Sequence, residues 1–101
     1  MEKILKEIVL ERKKQDKKWG EQNHSPMEWM PILMEEVGEA SKEALEHHFN
    51  HPALDMEGEK ACDLVQGIAQ KERLNNYRKE VVQIAAVAVQ MIECLDRNNN
   101  V

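Results

Sequence analysis

From Lys71 to Arg97 the chain carries apolar residues at the spacing of one long helix. Leu74, Tyr77, Val81, Ile84, Ala85, Ala88, Met91, Ile92 and Leu95 recur at helical steps for about six turns. Val82, Ala86 and Val89 form a second, smaller strip beside them. A helix that is apolar on two sides packs on two sides, which predicts a bundle together with a subunit contact. Glycine and proline are scarce, at 4 and 3 of 101 residues, so the turn chemistry of a β-sandwich or barrel is missing. Abundant Glu, Lys, Ala, Leu, Met and Gln point the same way. The expected fold is all-α, a single domain over residues 1–101 built as a bundle of three main helices.

The first helix is expected from about Glu2 to Lys17, where Ile4, Leu5, Ile8 and Val9 make one stripe. A polar stretch to His24 follows, with Trp19 in it. The second helix opens at Ser25-Pro26-Met27-Glu28: Ser25 suits the cap, Pro26 the first helical position, and Glu28 completes a capping box. It is expected to reach about His48, with a kink or a late regular start near Pro31, because an interior proline removes one hydrogen bond and crowds the preceding turn. Residues 50–67 read least clearly. Asp63-Leu64-Val65-Gln66 can open a short fourth helix within 55–70, but Gly58 and Gly67 weaken the pattern.

Charge and composition exclude several classes. A formal charge of −5 argues against nucleic acid as the main partner, because phosphate neutralisation needs a basic surface. An apolar fraction of 42% is too high for a disordered acidic tail. The richest apolar run, Val81 to Ile92, is too short to span a bilayer and contains Gln83 and Gln90. The N-terminal segment is charged where a signal peptide is apolar. Cys62 and Cys94 form no CxxC pair and read as reduced thiols, so a cytoplasmic protein is expected. A chain this small buries a modest core alone, which predicts a homo-oligomer.

The strongest chemical signal lies on the second helix. At about 100° per residue, Glu28, Glu35, Glu36, Glu39, Glu43 and Glu46 share one wedge. A solvated face ordinarily mixes signs at i, i+4, and here only Lys42 stands beside the stripe. Glu43 and Glu46 also sit at the helix end that disfavours negative charge. Carboxylates ~5 Å apart repel by ~3 kcal/mol at an effective dielectric of ~20, so the stripe calls for a cation. Glu80 sits at the edge of the third helix's apolar face, as Glu36 does on the second. Packing those faces together brings Glu36, Glu39, Glu80 and Gln83 side by side. That all-oxygen set suits Mg²⁺ or Mn²⁺.

These residues resemble a known family. Glu35-Glu36-Val37-Gly38-Glu39 matches an EExxE motif, and Glu80-Val81-Val82-Gln83 stands where an ExxD motif follows on the next helix. The pair is similar to the signature of the MazG-like, all-α nucleoside triphosphate pyrophosphohydrolases. Lys18 to Pro26 resembles the loop before that family's motif helix, and Ile84 to Glu93 its small-residue helix. The resemblance implies a helical bundle that forms a homodimer or homotetramer and acts on nucleoside triphosphates. It implies Mg²⁺-dependent cleavage to a monophosphate and pyrophosphate, a hydrolase of nucleotide housekeeping. Carried over by position, Glu36, Glu39 and Glu80 ligate metal, and Glu35 is a further ligand or orients or deprotonates water. The family's aspartate is Gln83 here, a neutral donor, which implies weaker metal binding, a bridging water or a lost activity. In the last case the chain is a helical module that binds nucleotide or a protein partner.

Other residues carry weaker signals. Trp19 is a core anchor or a base-stacking wall, with Gln22 and His24 reading the base edge as the resemblance implies. Trp29 reads as core. Lys18, Lys42, Arg78 and Lys79 are candidate phosphate contacts without preference among them. His47 and His51 stand at i, i+4, a zinc spacing, with His48 beside them, but Asn50 and Pro52 mark a fraying helix end. Glu21-x-x-His24 has a di-iron spacing but lies in a loop and is unpaired.

Overall fold

The computed structural model describes residues 1–49 and 60–99, with the backbone alone for 60–67 and 69. Three α-helices and no strand occur among them: α1 (Glu2–Trp19), α2 (Pro26–Phe49) and α3 (Lys60–Asn98). Segment 50–59 lies outside the described residues. The short fourth helix expected in 55–70 is, from Lys60 onward, the start of α3, which runs through Gly67 and begins well before Lys71.

Local chemistry sets the helix ends. The chain leaves α1 at Gly20, whose φ of 74° suits glycine alone and whose N–H closes on the Asp16 carbonyl at 2.7 Å. At the start of α2 the Glu28 carboxylate accepts from the Ser25 N–H at 2.9 Å, and the Glu28 N–H donates to Ser25 Oγ at 3.3 Å. That is the reciprocal capping box expected from the sequence. The helix is regular from Pro26, not from a late start near Pro31, and it continues through Pro31. A proline in the second turn forfeits one hydrogen bond, and the box and the burial of Trp29 outweigh it.

Both α1 and α2 pack on α3, and they do not pack on each other. Each junction is tied by polar contacts. Gln70 and Arg73 of α3 donate to the carbonyls of His47 and Glu46 at the end of α2. Arg12 of α1 pairs with Glu93 at 2.8 Å, and Arg78 of α3 pairs with Glu7. Loop 20–25 is clasped to the last turns of α3: Arg97 donates to the Gln22 carbonyl at 3.0 Å, and Asn98 to Asn23 Oδ1 at 2.7 Å.

Among the described residues the buried apolar set is Trp29, Ala40, Ala86, Val87 and Cys94, joined by Gln15 and Gln90. On α3 the residues turned inward are therefore Ala86, Val87, Gln90 and Cys94. The main stripe of the sequence pattern lies elsewhere. Leu74, Tyr77, Val81, Ile92 and Leu95 are exposed, Ile92 at 59%. The face that the sequence marks as most apolar is not the one that α1 and α2 cover. No described helix is long and apolar enough to cross a membrane.

Candidate metal centre and its cleft

Glu36 and Glu39 lie one turn apart on α2, and Glu80 faces them from α3. Ligand atoms of the three carboxylates all fall within 4.8 Å of one another. Gln83, one turn beyond Glu80, completes the group. With its amide turned to match its neighbours, its nitrogen donates to Glu36 Oε2 at 3.1 Å and to Glu80 Oε2 at 3.2 Å. The four residues proposed from sequence as a cation site are thus brought together. Gln83 enters as a donor that binds two carboxylates. To ligate a cation itself, its amide must turn and present the carbonyl oxygen.

The electrostatics record the crowding. Burial, then a hydrogen bond with Glu39, then the charges of Glu39, Glu36 and Glu43, push Glu80 up to about 7. Burial first, and then Glu39, Glu35 and Glu11, also raise Glu36. Both shifts have one meaning: neighbouring carboxylates disfavour simultaneous ionisation, and a proton or a cation relieves them. A cluster of hard oxygen donors fits Mg²⁺ or Mn²⁺ by donor chemistry.

The rest of the acidic stripe divides by task. Glu28 is engaged in the capping box, and the Ser25 backbone and then its hydroxyl hold its carboxyl below the ordinary range. Glu35 is exposed and lines the cleft beside Glu36. Glu43 acts on Glu80 through its charge. Glu46 sits near the end of α2, where its carbonyl accepts from Arg73.

Because α1 and α2 meet only α3, a cleft of about 580 Å³ opens between them. Gln83, Val87 and Gln90 of α3 line it. Trp29, Ile32, Glu35 and Glu36 line it from α2, and Glu11, Lys14, Gln15, Lys18 and Trp19 from α1, with Gln22 at the loop. Trp19 is 56% exposed, with the Lys18 ammonium 4.5 Å from its ring centre. Gln22 Oε1 accepts from Gln90 at 3.1 Å. The base-reading set expected from sequence is therefore divided. Trp19 and Gln22 share the cleft with the acidic group, and His24 does not line it. Its ring packs edge-on against Trp29 at 4.8 Å, and it borders a separate cavity with Pro26, Met91, Ile92 and Leu95.

Sequence reasoning passed over Lys14, Gln15 and Gln90. Gln90 had a signal, since it interrupts an apolar run and is 5% exposed. Lys14 and Gln15 sit in a uniformly polar run and had none. Trp29 is core, as expected. Its indole N–H meets no acceptor at hydrogen-bonding distance and faces the Cys94 sulfur, where it leads the groups that hold that thiol below its ordinary range. Cys94 is a free, buried thiol that donates to the His24 carbonyl. Glu21 pairs with Arg97 at 3.3 Å, and His48 stacks edge-on with Phe49. His51 and the side chain of Cys62 lie outside the described residues. No family model matches the chain, and neither does any curated protein or solved structure.

Proposed function

We propose that this chain is a Mg²⁺-dependent nucleoside triphosphate pyrophosphohydrolase of MazG-like type, a cytoplasmic homo-oligomer that converts (d)NTPs to (d)NMPs and pyrophosphate. One observation carries the reading: three carboxylates from two helices converge beside a cleft that also holds an exposed tryptophan and two lysines. Glu36, Glu39 and Glu80 are the residues that would hold the cation, with Gln83 supporting them. A bound Mg²⁺ neutralises triphosphate charge and lowers the pKa of water.

The chain's own residues supply the remainder. Trp19 offers a ring face on which a base stacks. Gln22, braced by Gln90, presents an amide to the base edge. Lys14 and Lys18 place positive charge in the same cleft for phosphate oxygens. Glu35 is exposed at the cleft and accepts the proton of the water that attacks the α-phosphorus.

The test is pyrophosphate release over a panel of (d)NTPs with Mg²⁺ or Mn²⁺. Turnover should fall at least ~100-fold in Glu36→Gln, the scale of losing a group that holds the cation. A wild-type protein that releases no pyrophosphate, or as little as Glu36→Gln, sinks the proposal. A second reading rests on Gln83, whose amide binds the acids as a donor: a non-catalytic module of the same fold that binds nucleotide or a protein partner. Calorimetric nucleotide binding without turnover, unrestored by Gln83→Asp, selects it.

A further inference from the structure

Two buried amides line the cleft, and the chain uses only part of each. Gln15 of α1 is 6% exposed and Gln90 of α3 is 5% exposed. Gln15 Oε1 accepts from Arg12 Nη1 at 3.3 Å, and Gln90 Nε2 donates to Gln22 Oε1 at 3.1 Å. Among the described residues, nothing pairs with Gln15 Nε2 or with Gln90 Oε1. Amides buried this deeply are ordinarily satisfied, so the open edges are left for water or a ligand in the cleft. Gln15 also stands four residues before Trp19, hence one turn away on the same side of α1.

The amides differ in how firmly they are set. The side chains of Gln90 and Gln22 bond to each other, so turning both together keeps the bond and exchanges the donor and acceptor they present. Gln15 has no such freedom. A guanidinium only donates, so the Gln15 oxygen must face Arg12, which leaves the nitrogen for the cleft. Arg12 is itself locked, with Nε on Glu93 at 2.8 Å, Nη2 on Asp16 at 3.0 Å and a side chain 11% exposed. The cleft therefore holds one donor of fixed sense beside a pair that adapts.

A fixed donor selects among bases. An exocyclic carbonyl, as in uracil or hypoxanthine, accepts from it. The exocyclic amino group of cytosine or adenine sets donor against donor. The Gln22–Gln90 pair meets the adjoining ring nitrogen whether that atom donates or accepts.

We infer that Gln15 selects the base, with Arg12 as its positioning residue, and that the cleft takes 4-oxopyrimidine and 6-oxopurine nucleotides in preference to their amino counterparts. The inference rests on the cleft being the nucleotide site proposed above, and it does not require turnover.

Two measurements on the full chain with Mg²⁺ test it. Calorimetry with α,β-methylene triphosphates of uridine, cytidine, inosine and adenosine reads the choice without cleavage. Pyrophosphate release from the natural triphosphates reads it with cleavage. Uridine should bind at least ~10-fold tighter than cytidine, and inosine than adenosine, the scale of one hydrogen bond exchanged for a clash of donors. Gln15→Met should bring both ratios close to one. Arg12→Met should do the same with Gln15 intact, because the freed amide can turn, and Arg12→Lys should keep more of the preference. A merely structural defect weakens both members of a pair alike and leaves the ratio unchanged. Equal binding of oxo and amino nucleotides by wild type, or a ratio that survives Gln15→Met, overturns the inference. Equal pyrophosphate release from UTP and CTP overturns it and leaves the hydrolase reading standing. An oxo preference in binding without any release supports it and sinks the hydrolase reading. Failure to bind any of the four overturns both.

Discussion

Glu80 is the residue at which the cluster's strain is most visible. Its carboxyl is held near 7 in the fold, against about 4.5 when free. A folded state that keeps the proton longer than the unfolded one loses stability as pH rises between those values. The chelator-treated protein should therefore melt lower at pH 8 than at pH 5, and Glu80→Gln should remove most of that difference. Equal pH dependence in the two proteins argues against the assignment. Gln83→Asp replaces two donated hydrogen bonds by a fourth charge. It should cost the metal-free protein about 2 kcal/mol in urea unfolding, with Mg²⁺ recovering much of the loss. Trp19→Ala should raise KM for nucleotide about tenfold while kcat holds, if the ring stacks the base. The four acid and amide positions were legible in the sequence because i, i+3 spacing fixes direction on a helix. The Gln83 donor role was not, since it depends on which way an amide turns among neighbours from another helix.

At the scale of elements, the start of α2 was readable to the residue, because Ser25, Pro26 and Glu28 act within one turn. Ser25→Ala should cost about 1 kcal/mol in thermal unfolding, the loss of one half of the box. An unchanged melting temperature would mean that the Glu28 half suffices. The late regular start expected as one alternative at Pro31 does not occur, and α3 begins about three turns before the expected Lys71. Both misses have one cause. Local preference at Pro31 and Gly67 is worth a few kcal/mol at most, and contacts made elsewhere override it. Trp29 is buried on one side of Pro31, and Gln70 and Arg73 tie α3 to the end of α2. Such contacts join residues 23 and 27 positions apart, a separation that periodicity cannot see.

As a whole, the molecule keeps its two surfaces apart. The cleft lies between α1 and α2 and the acids beside it between α2 and α3, and the exposed stripe lies on a face of α3 that neither α1 nor α2 covers. The sequence pattern marked that stripe as the dominant apolar face and predicted two-sided packing. It did not say which side the chain's own helices would take. The inward side went to Ala86, Val87 and Gln90, a set with modest apolar content, because α1 and α2 both dock there. If a second copy covers that stripe and completes the core, the melting temperature should rise with protein concentration, and Ile92→Glu should abolish that rise. A concentration-independent melting curve for wild type counts against a dimer that shares its core.

The clasp between loop 20–25 and the end of α3 links residues 75 positions apart. Gln22 and Asn23 are held by Arg97 and Asn98, so the last turn of α3 pins the loop at the mouth of the cleft. Removing residues from Arg97 onward deletes no group near the acids, yet it frees the loop that carries Gln22 into the cleft. Trimming or tagging at that end therefore reaches the cleft through the loop without touching the acids.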